Sequence, residues 1–116
     1  MNTLRDRTKL FARRVIRVFS ALPRTDVARV IGRQMLRSGT SVGAHCREGY
    51  RSRSDAELIS KYETALQELD ETTYWLELLA EEGIVSPRRL SPLMKEADEL
   101  LAILVASVRT VKRRRR

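Results

Sequence analysis

The sequence predicts an all-α protein, an antiparallel up-down-up-down four-helix bundle. Three observations predict it. Apolar residues recur at three- and four-residue intervals through four segments. Helix-starting residues and breakers separate those segments, and the connections between them are short. Only five Gly and three Pro occur in 116 residues rich in Leu, Arg, Glu and Ala, a poor composition for a turn-rich β fold.

The first helix is expected over about residues 4–22. Leu4, Thr8, Phe11, Val15, Val18 and Leu22 form its apolar stripe, Ala12 and Phe19 widen it, and Pro23 stops it. Thr25 or Asp26 caps a second helix over about 26–48. Its apolar face reads Val27, Val30, Ile31, Met35, Ser38, Val42 and Cys46. Gly32, Gly39 and Gly43 each cost a helix about 1 kcal/mol relative to Ala, so their presence implies close backbone approach to a neighbouring helix. Residues 49–53 form the next break.

Ser54 with Glu57 makes a capping box for a third helix, 54–82. It buries Leu58, Ile59, Tyr62, Ala65, Leu66, Leu69, Thr73, Leu76 and Leu79, and Gly83 ends it. Ser86 and Pro87 start the fourth helix, 87–111, which carries Leu90, Leu93, Met94, Ala97, Leu101, Leu104, Val108 and Val111. Residues 1–111 thus make one bundle domain, and 112–116 form a basic C-terminal tail. Short connections make sequential helices antiparallel neighbours.

The formal net charge is +8, with a pI near 10.5. Such an excess suits a polyanion, above all nucleic acid. The charge is partitioned. Residues 1–24 carry +6, 25–53 carry +4, 54–84 carry −8 and 85–116 carry +6. The third helix is an acidic rod among basic segments. It is expected to pair with basic helices of its own bundle and of a neighbouring copy, a head-to-tail contact that closes rings.

Arg5, Lys9, Arg13 and Arg17 recur every four residues and stripe the first helix, with Arg14 and Arg24 close by in sequence. These six and the tail, Lys112, Arg113, Arg114, Arg115 and Arg116, are the candidate nucleic-acid contacts. No aromatic residues interleave with them to stack bases. Binding is therefore expected to read backbone and shape.

The chemistry-bearing residues are few. His45 and Glu48 lie three apart, but a bundle di-metal site needs two such pairs and two further carboxylates. His45 is expected to be hydrogen-bonded near a helix interface, with no metal and no cofactor. Cys46 sits on an apolar face and is expected in the core. A single cysteine makes no internal disulfide and ties the chain to no oxidising compartment. No stretch approaches ~18 uncharged apolar residues, so no membrane span is expected and a bacterial cytoplasm is the plain reading. Phosphate loops, zinc spacings and nucleophile elbows are lacking in the sequence, and no enzymatic activity is expected. A polar network between the second and third helices is expected from Arg37, Ser41, His45, Glu48, Glu68 and Glu71, with Arg37 paired to Glu68 or Glu71. Its role would be to fix register.

Leu36-Arg37-Ser38-Gly39-Thr40-Ser41-Val42-Gly43-Ala44, then Arg47-Glu48-Gly49, then Leu66 to Thr72 and Tyr74-Trp75-Leu76-Glu77-Leu78-Leu79 resemble the "four helix bundle protein" family. Its members were first noticed as open reading frames in intervening sequences of bacterial large-subunit rRNA genes. The resemblance covers roughly residues 5–111. The chain departs from it at His45, where the family usually has Asn. The resemblance implies an up-down bundle that assembles as a ring-shaped homopentamer. It also extends to the accessory variability determinant of diversity-generating retroelements, a basic pentamer that binds nucleic acid and partners a reverse transcriptase. It implies no catalytic residues.

The expected function is non-enzymatic binding of nucleic acid, RNA or DNA and in the first place RNA, by a basic oligomer. The alternative is a protein-interaction module, an accessory subunit of a reverse transcriptase or another nucleic-acid enzyme.

Overall fold

Hydroxyl side chains start all four helices. In the computed structural model, which describes residues 3–114, Thr3 accepts a hydrogen bond from the Asp6 N–H, Thr25 from Ala28 and Ser54 from Glu57. Ser86 accepts from Arg89. Each bond satisfies a donor that the first helical turn would otherwise leave unpaired. The helices are α1 (Leu4–Ser20), α2 (Asp26–Tyr50), α3 (Asp55–Glu81) and α4 (Pro87–Arg114). Gly83, at φ 69°, ends α3. Its N–H reaches the Ala80 carbonyl at 3.1 Å, and the Ile84 N–H reaches Leu79 at 2.9 Å. That is a Schellman motif, and glycine supplies its left-handed residue at no steric cost.

Each helix packs on the two beside it, so α1 and α3 are diagonal, as are α2 and α4. The result is a four-helix bundle measuring 50 × 24 × 21 Å. Phe11, Val15, Met35, Leu69, Leu76, Leu90, Leu100 and Leu104 are fully buried in its main core. A smaller cluster of Ile59, Val108 and Val111 joins α3 to α4. The start of α1, the α2–α3 turn and the end of α4 share one end of the bundle.

Several expectations need correction. Val27 and Val30 are exposed, at 57% and 62%, while α2 buries Ala28, Gly32, Gly39 and Gly49 instead. The expected stripe is misplaced only at its start, where small residues face the neighbours; Met35, Ser38, Val42 and Cys46 are buried as expected. On α3 the fully buried threonine is Thr72, with Thr73 half-buried; on α4 it is Leu100 that is fully buried, with Leu101 half-buried. α2 runs through Gly49 to Tyr50, and the Tyr62 ring fills the space a Cβ on Gly49 would need, at 2.6 Å. α1 stops at Ser20, short of Leu22. Residues 112–114 are the last turn of α4. No described helix is long and apolar enough to cross a membrane.

Candidate functional site

The four-residue spacing of Arg5, Lys9, Arg13 and Arg17 turns about 40° per step on an α-helix, so the cations wind slowly along one outer face of α1. All four are exposed. Among the described residues none of them forms an ion pair. The diagonal placement of α1 and α3 keeps this stripe away from the acidic helix of the same chain.

The other cations behave differently. Arg7 falls between the stripe positions, on the flank of α1 toward α4. There its guanidinium meets Glu96 at 2.6 Å and Glu99 at 3.1 Å. These bonds, the one to Glu96 above all, push the Arg7 pKa up and keep its charge fixed. Arg14, seven residues on, shares that flank and is half-buried, so it does not join the stripe. Arg24 is exposed in the α1–α2 connection, at the other end of the bundle from Arg5.

The tail candidates divide. Lys112 Nζ lies 3.2 Å from Glu63 and Arg114 Nη2 lies 3.3 Å from Asp55, so α3 engages both. Arg113 is exposed and takes part in no ion pair among the described residues. Arg115 and Arg116 lie outside the described residues.

Beside the stripe runs a groove of about 400 Å³ between α1 and α2. Ala12, Gly43 and Ala44 leave it open, and Arg5, Lys9 and Arg47 stand around it with Asp6 as the one acidic residue. A Cβ on Gly43 would lie 3.3 Å from the Thr8 carbonyl oxygen, so the helix backbones nearly touch below the groove. Next to it is a second hollow, of about 340 Å³, lined by Thr3, Leu4, Arg5, Asp6, Cys46, Tyr50 and Tyr62. The Arg5 guanidinium carbon sits 5.2 Å from the centre of the Tyr50 ring, within cation–π range. Sequence reasoning missed Arg47 and Tyr50. Helical spacing from Gly43 finds the first, four residues on, but no periodicity on α2 pairs Tyr50 with Arg5 on α1.

The expected polar network is two separate contacts. Arg37 Nη2 meets Glu71 Oε2 at 3.2 Å, and the Trp75 indole N–H donates to the same oxygen at 3.1 Å. Glu68 takes no side-chain part; its backbone carbonyl accepts from Thr72 at 2.7 Å. Ser41 bonds the carbonyl of Arg37 within its own helix, 2.7 Å away, which removes it from the interface. Farther along, His45 Nδ1 and Glu48 Oε1 are 3.1 Å apart, and Lys61 Nζ reaches that oxygen at 3.5 Å. The hydrogen bond to His45, then the charge of Lys61, lower the Glu48 pKa. One contact went unforeseen. The Ser38 and Thr72 hydroxyls meet at 2.8 Å, fully buried between α2 and α3.

Cys46 is buried, and desolvation pushes its thiol up to about 12 from an ordinary 9.0. A thiol that holds its proton so firmly is a core group, not a nucleophile at neutral pH. Among the described residues no three His, Cys, Asp or Glu side chains are grouped to hold a metal ion.

Residues 3–106 match the family described as "23S rRNA-intervening sequence protein". The chain belongs to that family. A family member would be expected to keep this bundle, and a solved structure shows one that does. It is a protein of unknown function from the S23 ribosomal protein family of Bacteroides thetaiotaomicron. The two share 32% sequence identity and superpose with a TM-score of 0.86, over 91% of this chain and 98% of the other. No curated relative matches the chain.

Proposed function

We propose that this 23S rRNA-intervening sequence family member is a non-enzymatic nucleic-acid-binding protein, directed in the first place to RNA, that reads backbone and shape. One observation carries the reading. Arg5, Lys9, Arg13 and Arg17 are exposed together on one face with no acidic partner among the described residues, although α3 of the same chain is strongly acidic. Leaving four cations uncompensated along about 18 Å of helix stores repulsion that a polyanion relieves. The acidic α3 lies diagonal to this stripe in its own copy, and its carboxylates suit basic residues of the next copy outside the stripe, such as the exposed Arg24, which leaves the stripe itself free for a polyanion. We take that contact to close a ring, with the five subunits that the family resemblance implies.

Fluorescence anisotropy on a labelled structured RNA tests the reading. Four phosphate contacts per protomer predict a loss of roughly two to three orders of magnitude in affinity between about 50 and about 300 mM salt. Replacing all four cations by Gln should abolish binding while leaving the helical circular dichroism intact. Affinity that ignores salt over that range overturns the proposal. Light scattering of the same samples, with and without RNA, reads the subunit number.

A further inference from the structure

The α1–α2 groove and the hollow beside it differ in chemistry but share two residues, Arg5 and Asp6. The groove is cationic, with Arg5, Lys9 and Arg47. The hollow is apolar and aromatic on its α2 and α3 sides, with Cys46, Tyr50 and Tyr62, and carries Arg5 and Asp6 on its α1 side. Arg5 borders both. Tyr50 is 65% exposed although it is an aromatic residue at the end of a buried-faced helix. Its ring has the Arg5 guanidinium over one face, 5.2 Å from the ring centre. The volume of the hollow falls in the ~300–1,000 Å³ span of small-molecule sites.

We propose that the Tyr50–Tyr62 hollow is a stacking subsite for one unpaired base of a single-stranded nucleic acid, with the flanking phosphates held on Arg5, Lys9 and Arg47. The inference rests on the nucleic-acid reading above and sharpens it by naming a place where the strand must be unpaired. A nucleotide has a flat π-face joined to an anion, and these two neighbouring sites offer an aromatic face joined to cations. Stacking of this kind tolerates any base, because every base has a π-face. In the free protein Arg5 covers the Tyr50 ring. A base arriving there takes the ring face while Arg5 keeps to the plane of the base or moves to the adjacent phosphate, and either contact is favourable. A duplex cannot use the hollow, because its bases are stacked on each other. It would engage the cations alone.

The test compares a fluorescein-labelled uridine ten-mer with a labelled RNA hairpin of equal phosphate number whose strands are joined by a non-nucleotide linker, so that it offers no unpaired base, on the full chain. Tyr50→Ala is expected to weaken ten-mer binding roughly 5- to 150-fold and to leave hairpin binding unchanged. Tyr50→Phe keeps the ring and should bind both as the parent does. The pair Lys9→Gln with Arg47→Gln should weaken both ligands. Equal losses on ten-mer and hairpin for Tyr50→Ala would mark the ring as structural and overturn the subsite, as would no loss on either or a loss in Tyr50→Phe. Hairpin binding that persists in any of those cases leaves the broader nucleic-acid reading standing. Failure of the parent protein to bind either RNA removes both.

Discussion

α2 meets its two neighbours by opposite means. Toward α1 it presents glycine. A Cβ on Gly39 would lie 2.8 Å and 2.9 Å from the two Val15 methyls, and one on Gly43 would press the backbone of Thr8. Toward α3 it presents polar contacts: the Ser38–Thr72 hydroxyl pair, Arg37 with Glu71, and Glu48 with Lys61. Gly49 is the exception, packed under Tyr62 at the far end of the α3 side. The first seam gains stability from proximity, because dispersion grows with contact and small residues allow the most. The second gains register, because a polar pair left unmatched in a packed interface is costly. The two seams also divide the function. The close one brings α1 down onto α2 and so makes the cationic groove, whereas the polar one fixes how far the acidic helix slides past.

The largest effect is expected from breaking the close seam. Gly39→Leu must displace Val15, a β-branched and fully buried side chain with little freedom to move. Overpacking of this sort costs about 3 kcal/mol, read as a drop in the urea midpoint at unchanged slope. A midpoint equal to that of the parent would mean that the two backbones do not approach as described.

Breaking the polar seam should cost less and should show coupling. A double-mutant cycle over Ser38→Ala and Thr72→Val is expected to give about 0.5–1.5 kcal/mol, the net worth of a buried hydrogen bond. The corresponding cycle over Arg37 and Glu71 should give about 0.2–1 kcal/mol, because Arg37 is 63% exposed and solvent screens the pair. If the exposed pair couples more strongly than the buried hydroxyls, register is set from the surface and the contrast between the seams is misplaced.

How much of this was legible in the sequence follows the same division. Periodicity exposes a seam made of bulk, so the fold, the caps and the Leu-rich stripes of α3 and α4 could be read directly. A seam made of absence is harder. Gly39 and Gly43 announced a close approach, yet they gave no sign of its direction, and Val27 and Val30 drew the stripe toward solvent. The cations show a related limit. Spacing alone separates Arg5, Lys9, Arg13 and Arg17 from Arg7, but only the fold shows that Arg7 lies against Glu96 while no stripe cation is ion-paired among the described residues. Lys112 and Arg114 read as a tail because the apolar period ends at Val111. They extend α4 because Glu63 and Asp55 wait for them on α3. The contact of Arg5 with Tyr50 joins residues 45 positions apart on different helices, and no local pattern encodes it.

The smallest expected effect lies at the far end of the polar seam. His45 and Lys61 hold the Glu48 carboxyl below its ordinary pKa of 4.5, the hydrogen bond to His45 contributing most. A carboxyl whose pKa is depressed by folding binds its proton more weakly in the folded chain than in the unfolded one. Its contribution to stability is therefore present above the unfolded value and fades as the pH falls through the folded value. Glu48→Gln should accordingly lower the thermal midpoint slightly at neutral pH, and the two melting curves should converge as the pH falls below the unfolded value of 4.5 and through the lowered folded one. The Glu48 side chain is 53% exposed, so the difference is small and should shrink further in about 1 M salt, where screening acts within ~3 Å. The hydroxyl pair of Ser38 and Thr72 has no proton to gain over that range and should keep its coupling. A Glu48→Gln midpoint that stays below the parent's at every pH would show that the side chain acts by packing against His45 and Lys61. The polar seam would then be held by shape as much as the glycine seam is.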